Sequence, residues 1–329
     1  MKSYFILSGE NEYLALEELR ALLELHGISP GRLKCLTMVC IIDGVDTGKI
    51  NSIIDRAGYI REGGTVIKIT TILDPPPVIE TGTMRFFSVS NLKKTVPDHM
   101  VKEFLEGFIH RNNIIHRSGR KSDLHLIFSE GSVIIGKPIA SRRTRDFYRR
   151  RPAIRPFFRS IALSVPFSRM MINLARTPRG GVIFDPFAGT GSILIEASLM
   201  GIKAIGAEID WKIARGAEEN LEYYNANAIL ILGDSTQLNL YDINAIVTDP
   251  PYGRSASTHG VDVKNIYSEF LHRSTEWLKH GSYLVFLAPH YLVDYIDEML
   301  CESGFIVRSR IYHYIHGGLT RVVYVAYLP

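Results

Sequence analysis

The sequence predicts an α/β chain whose second half is a Rossmann-like sheet of seven strands, mostly parallel and finished by an antiparallel hairpin. Three observations carry that expectation. From Val182 onward short apolar runs with no polar face alternate with helical segments, the pattern of a parallel sheet covered on both sides. The first run leads through the turn Gly189-Thr190-Gly191 directly into a helix, as in the first strand-to-helix turn of a doubly wound sheet. The last two runs, 305–315 and 320–328, flank Gly317-Gly318 and read as a hairpin appended to the sheet.

The elements follow in order. Residues 4–7 read as a strand and 14–23 as a helix with Leu14, Leu19, Leu22 and Leu23 on one face, closed by Gly27. A strand at 35–42 and a helix near 50–54 complete a first small α/β unit, expected over 1–60. Asp74-Pro75-Pro76-Pro77 can continue neither a helix nor a central strand, and beyond it lie a strand at 85–90, a helix around 100–109 and two strands, 124–129 and 132–136, turned by Glu130-Gly131. These form a second unit, expected over 61–140. A connector follows at 141–160, with Pro152 and Pro156 and no regular period. The remaining strands of the domain at 161–329 are 182–184, 204–207, 228–232, 245–248 and 283–288.

Composition narrows the function classes. With 46% hydrophobic and 22% charged residues the chain is not of the disordered type. No apolar run nears the ~18 residues of a membrane-crossing helix, so a cytoplasmic, membrane-free and monomeric protein is expected. Cys35, Cys40 and Cys301 show no CxxC spacing, so neither a disulfide framework nor a metal site is expected, and all three read as small core residues. The net charge of +4 is unevenly placed: residues 141–160 hold eight arginines, Arg142, Arg143, Arg145, Arg149, Arg150, Arg151, Arg155 and Arg159, against one aspartate. That concentration reads as a footprint for phosphates that position a nucleic acid without reading its sequence.

The glycine turn, Asp185-Pro186-Phe187-Ala188-Gly189-Thr190-Gly191, has Leu194 where a dinucleotide fingerprint needs a third glycine. Asp185 argues the same way. A carboxylate there repels a pyrophosphate but suits a cofactor with a cationic amino group, a sulfonium and no phosphate, which is S-adenosylmethionine. Glu208, with Ile209, ends the next strand 23 residues on, at the offset for a carboxylate that binds ribose hydroxyls. Asp234, with Ser235, ends the third and is positioned for an adenine amino group. A strand-end carboxylate is commonly only an N-cap; three in sequence on adjacent strands point to a nucleoside.

The fourth strand ends in Asp249-Pro250-Pro251-Tyr252-Gly253-Arg254. An exocyclic amine is a poor nucleophile because its lone pair is conjugated into the ring. Acceptors aimed at its two N–H bonds favour the tetrahedral, positively charged nitrogen of the transition state. The Asp249 carboxylate and the Pro250 carbonyl are assigned that role, Pro251 fixes the loop, and Tyr252 is the stacking platform for a base taken out of its helix. Arg254 and Arg321 are candidates to reach the base or a phosphate near this loop, with core salt-bridging as the equal alternative.

These residues resemble the amino-methyltransferases with an N/DPPY signature over 161–329. With Arg151-Pro152-Ala153-Ile154-Arg155-Pro156-Phe157-Phe158, Asn173-Leu174-Ala175-Arg176, and His316 followed by Leu319-Thr320-Arg321, the whole chain resembles the archaeal THUMP-domain tRNA guanine-10 N2-methyltransferases. The resemblance implies an N-terminal ferredoxin-like unit, a THUMP unit that holds tRNA, and mono- or dimethylation of guanosine 10. It departs in Glu208, where many relatives carry Asp, and in the first 60 residues, which match only in general pattern. The loop motif alone leaves adenine N6, cytosine N4, guanine N2 and a glutamine amide open, and the arginine-rich connector favours RNA. An adenine N6 methyltransferase acting on ribosomal RNA or DNA, and a non-catalytic RNA-binding protein of the same fold, are the competing readings.

Overall fold

A computed structural model describes residues 1–80, 82, 84, 86–116, 122–252, 262–316 and 319–329. They form two compact units, Met1–Arg143 and Thr144–Pro329. In the first, β1 (Lys2–Leu7) leads to α1 (Glu12–Leu25), whose cap Asn11 accepts from Leu14 N at 3.1 Å. The helix ends where Gly27 takes φ +69°. β2 (Lys34–Leu36), β3 (Val39–Asp43), α2 (Thr47–Arg56), β4 (Ile60–Thr71), β5 (Phe86–Asn91), α3 (Asp98–Asn112), β6 (Ile115–His116), β7 (Leu124–Ser129) and β8 (Ser132–Ser141) follow. They make one eight-stranded sheet in the order β2-β3-β1-β4-β8-β7-β5-β6. α3 lays Val101, Phe104 and Phe108, at helical spacing, against Phe87 and Phe128.

Two features differ from the sequence expectation. The single strand expected over 35–42 is a hairpin, turned at Met38 with φ +58°, and Cys35 and Cys40 lie opposite each other across it as a disulfide. Cys35 and Cys301 are exposed, so of the three cysteines only Cys40 is a core residue. The second difference is β4, which the sequence reading passed over. It pairs with β1 on one side and β8 on the other, so the residues expected as two units share a sheet. A Cβ on its Gly64 would lie 2.6 Å from the buried Tyr4 ring and 2.4 Å from the Lys137 carbonyl. The strand lacks side chains there because another strand's aromatic ring takes the space.

The second unit begins with α4 (Thr144–Tyr148) and α5 (Val165–Leu174). β9 (Val182–Asp185), α6 (Ser192–Leu199), β10 (Lys203–Glu208), α7 (Trp211–Tyr223), β11 (Ala228–Leu232), β12 (Ile243–Thr248), α8 (Val263–Trp277), β13 (Leu278–Pro289), α9 (Val293–Glu302), β14 (Ile306–His316) and β15 (Leu319–Leu328) complete it. The strand order is β11-β10-β9-β12-β13-β15-β14; the first five are parallel and the last two form the expected antiparallel hairpin. Phe184, Ile246, Leu284, Phe286 and Tyr324 form one core with α8 and α9. Trp277 packs edge-on to Phe184 there and donates to the Leu238 carbonyl at 3.0 Å.

The arginine-rich stretch is part of this fold. Phe157 and Asn220 of α7 hold each other twice: Phe157 N donates to Asn220 Oδ1 at 3.0 Å and Asn220 Nδ2 to the Phe157 carbonyl at 2.9 Å. Asn220 Nδ2 also donates to the Thr190 carbonyl at 3.1 Å, which ties the stretch to the glycine turn. Gly216 makes room for the Phe157 ring, since a Cβ there would lie 2.2 Å from it. Glycine to alanine within a helix normally stabilises by roughly 0.5–1 kcal/mol. Here overpacking reverses the sign, and Gly216→Ala is expected to lose about 1–3 kcal/mol in denaturant unfolding; a gain would show that Phe157 does not hold the stretch to α7.

Candidate active site

The parallel strands end along one rim, and the expected residues are arrayed there. Asp185, the last residue of β9, is 1% exposed. Its Oδ1 accepts from Thr248 Oγ1 at 2.6 Å, from the neighbouring strand β12, and from Phe187 N at 3.2 Å. Gly189 (φ +53°) and Gly191 (φ +80°) turn the chain into α6, a backbone path closed to residues with a side chain without strain. Glu208, the last residue of β10, reaches back to this turn: its Oε2 accepts from Gly189 N and its Oε1 from Asp210 N, both at 3.0 Å.

Asp185, Phe187, Ala188, Gly189, Thr190 and Asp249 line one open cleft of ≈ 500 Å³, joined by Ser192, Ile193 and Ile213 and by Arg159, Ile161, Ala162 and Leu163 from the end of the arginine-rich stretch. Pro186 is buried behind the turn and Gly191 caps α6. Ile209 is exposed. Asp234 is exposed as well and plays the N-cap part, accepting from Thr236 N at 2.9 Å and Thr236 Oγ1 at 2.8 Å, with Ser235 buried beside it.

Past β12 the chain turns through Asp249, Pro250 and Pro251 to Tyr252. The Tyr252 hydroxyl donates to Asp249 Oδ1, and Tyr291 donates to the Tyr252 carbonyl at 2.9 Å. Arg321 of β15 stands 3.8 Å from Asp249 Oδ2, its guanidinium 5.1 Å from the centre of the Tyr252 ring. Tyr252 is therefore folded onto the carboxylate, and of the two readings open to Arg321 the salt-bridging one describes its position beside Asp249. Arg254, with Gly253, lies outside the described residues, as do Arg85 and Gly317-Gly318.

The eight arginines divide by environment. Arg150 forms a two-pronged pair with the fully buried Glu196, at 2.9 and 3.0 Å, which Arg169 shares at 3.5 Å. Arg155 is 5% exposed and donates to Ser192 Oγ at 2.6 Å and to the Arg150 carbonyl at 3.2 Å. Arg142 donates to the Gly58 carbonyl within the first unit, and Arg151 stacks 3.7 Å over Tyr148. Arg150 and Arg155 are thus committed to the domain's own interior, where an RNA phosphate has no access. Arg143, Arg145, Arg149 and Arg159 are exposed. Sequence reasoning did not find Thr248, Tyr267, Tyr291, Glu196 or Asn220. A Glu inside the apolar run Ile193-Leu194-Ile195-Glu196-Ala197 was the one visible signal, since a buried carboxylate requires a cation.

The electrostatics fit a cationic ligand. Burial pushes the Asp185 carboxyl up to about 7, against the opposing pull of its hydrogen bonds from Thr248 and Phe187. Burial also raises Glu208. A phosphate meets repulsion from both, whereas an ammonium group beside Asp185 restores the charge that burial disfavours. The Glu208 carboxylate still has acceptor capacity for a ribose hydroxyl beyond its backbone donors. S-adenosylmethionine therefore suits these residues. Among the described residues no group of three or more His, Cys, Asp or Glu is placed to hold a metal ion.

Asp185 ionises less readily folded than unfolded, so the stability it contributes is full below about pH 4 and is lost as pH rises through about 7. Asp185→Asn removes that loss. Without added cofactor the variant should match the parent in thermal stability near pH 4 and exceed it at pH 8, by on the order of a few kcal/mol, while binding S-adenosylmethionine at least about tenfold more weakly. A gap independent of pH would contradict the burial argument.

Comparison with known proteins agrees with the geometry. Residues 152–303 match the family described as RMKL-like, methyltransferase domain. The tRNA (guanine(10)-N2)-dimethyltransferase of Methanothermobacter thermautotrophicus is 42% identical over 195 residues, covering 58% of this chain and 57% of that one. Its counterpart in Methanocaldococcus jannaschii is 28% identical over 98% of both chains. TrmN from Thermus thermophilus superposes over 100% of both chains with a TM-score of 0.56 at 17% identity, a likeness of fold. The probable tRNA (guanine(10)-N2)-dimethyltransferase of Methanothermococcus thermolithotrophicus is 38% identical across 93% of its length and 47% of this chain. With the strand-end carboxylates and the Asp249 loop in place, the chain belongs to the tRNA (guanine(10)-N2)-dimethyltransferase family.

Proposed function

We propose that this protein methylates the exocyclic N2 amine of guanosine in tRNA with S-adenosylmethionine, at position 10 and to the dimethyl form, acting as a cytoplasmic monomer. The observation that carries the reading is the placement of Asp249: it ends the strand next to Asp185 and opens into the same cleft, within reach of a ligand held by the glycine turn. The names of the relatives supply the base and the RNA. The expected ferredoxin-like unit at 1–60 and THUMP unit at 61–140 stay part of this proposal as the RNA-handling half.

S-adenosylmethionine, when bound, supplies a methyl group on a sulfonium. The protein's part is to hold the amine and shape it. Asp185 takes the cofactor's amino group, Glu208 its ribose, and Asp234 its adenine. Asp249 and the Pro250 carbonyl accept the two N–H bonds of the guanine amine and draw the nitrogen toward tetrahedral geometry as positive charge grows on it. Burial lifts the Asp249 carboxyl above the usual carboxylate range, with Arg321 and the Tyr252 hydroxyl opposing, which makes it the nearest base for the departing proton. The Tyr252 hydroxyl keeps Oδ1, Oδ2 is the oxygen open to the substrate N–H, and the Tyr252 ring is the surface on which the base stacks, worth roughly 1–3 kcal/mol.

Asp249→Ala should lower methyl transfer at least about a hundredfold while tRNA affinity changes less than about twofold; unchanged turnover removes this mechanism. Digestion of tRNA labelled by the enzyme should place the methyl on guanosine N2, and label on adenosine N6 would overturn the base assignment.

Exposure selects the arginines for a second test. Reversing the charge of Arg143, Arg145 and Arg149 together should weaken tRNA binding at least about tenfold at physiological salt and flatten its salt dependence. Unaltered affinity would place the RNA footprint elsewhere.

A further inference from the structure

We propose that Arg321 is a positioning residue for the reaction: it holds the Asp249 carboxylate and the Tyr252 ring in place through the rim of the sheet and makes no phosphate contact. The inference rests on the reading of Asp249 as the acceptor for the substrate amine.

Three observations support it. Arg321 lies on β15, opposite Pro289 of β13, while Thr248 lies opposite Phe286 of the same strand. Its backbone is therefore two strands from β12 and past the level where β12 ends, and its side chain spans the tip of the intervening β13 to reach Asp249. Secondly, the two carboxylate oxygens are divided between two groups, Oδ1 taking the Tyr252 hydroxyl and Oδ2 facing Arg321 at 3.8 Å. At that separation the guanidinium acts as a charge and not as a hydrogen-bond donor, so it leaves the oxygen's lone pairs to an incoming N–H. Thirdly, the same guanidinium lies 5.1 Å from the Tyr252 ring centre and is 12% exposed, a setting in which a cation–π contact is worth more than at an open surface. One side chain thus braces the acceptor and the stacking surface together. Its Nε is buried and has no hydrogen-bond partner among the described residues.

The ionisable groups around Asp249 give the inference a distinct signature. Asp249 is faced by Arg321 from β15, by Tyr252 from its own loop, by Asp185 from β9 and by Tyr267 from α8. Among the described residues Arg321 is the one cation in this set. Asp185 opposes ionisation of Asp249, as burial does, so removing Arg321 makes the carboxylate harder to form. Activity that needs the carboxylate then fails at higher pH than before.

Arg321→Gln should reduce kcat about a hundredfold with KM for tRNA within about twofold, and the acid limb of the kcat profile should move up by about one pH unit. Arg321→Lys, which keeps the charge without the planar fork, should lose less than about tenfold in kcat and leave the acid limb within about 0.3 unit. An unchanged kcat and acid limb in Arg321→Gln overturns the inference. So does a raised KM with a flatter salt dependence at unchanged kcat, the behaviour of a phosphate contact. If Arg321→Gln shows no cooperative melting, Arg321→Lys decides, since an intact kcat with weakened tRNA binding refutes the role. Should Asp249→Ala keep its turnover, the underlying reading falls; should Asp249→Ala be inactive and Arg321→Gln fully active, only the present inference falls.

Discussion

Asp185 and Asp249 belong to neighbouring parallel strands and face the same cleft, while burial withholds the water that would otherwise steady their charges. The rest of the site answers that constraint. Thr248 and the Phe187 amide donate to Asp185; the Tyr252 hydroxyl and Arg321 attend Asp249. The two remedies differ in kind. Asp185 is left short of a cation, which is what readies it for a charged ligand, whereas Asp249 is given one of its own. One rim thus carries two buried carboxylates in different electrostatic settings, the difference on which the proposed division between binding and chemistry rests.

The stretch that joins the two units is as much a part of the catalytic domain as its helices. Glu196, at 0% exposure inside an apolar helix, needs Arg150 and Arg169 to be tolerable there. Arg155 meets Ser192 at the start of that helix, and Asn220 ties Phe157 to the glycine turn. Residues 161–163 then form part of the cleft wall. Continuity explains this better than chance does: a turn that must present its backbone to a ligand needs a rigid support on its outer side, and the chain arriving from the first unit supplies it.

How much of this was legible in the sequence depended on whether the signal was local. The strands β9 to β13 were readable because a run of apolar residues needs no partner to be recognised, even at the edge strand β11, where Ile229 and Leu232 are exposed, and Asp185, Glu208 and Asp249 because strand ends follow from the strands. β4 was not readable, since its Gly63-Gly64 pair is explained by Phe5 and Tyr4, some sixty residues earlier. The hairpin at 34–43 was read as one strand because Thr37-Met38 carries no turn residue; a left-handed Met38 is required by the pairing on either side. The arginines were counted correctly, but their partners could not be, as Glu196 and Ser192 sit some forty residues downstream. Arg321 and Asp249 are 72 residues apart, and only the insertion of β15 beside β13 brings them together.

The division of the arginines has a consequence for how a polyanion is captured. With a net charge of +4 on the whole chain, and Arg150 and Arg155 turned inward, little positive field extends beyond the ~8 Å over which physiological salt lets exposed charges act. Long-range steering is therefore weak here. On the proposed reading, a nucleic acid would have to reach the exposed arginines by diffusion before they could hold it, which favours selection by shape at contact over indiscriminate attraction from a distance.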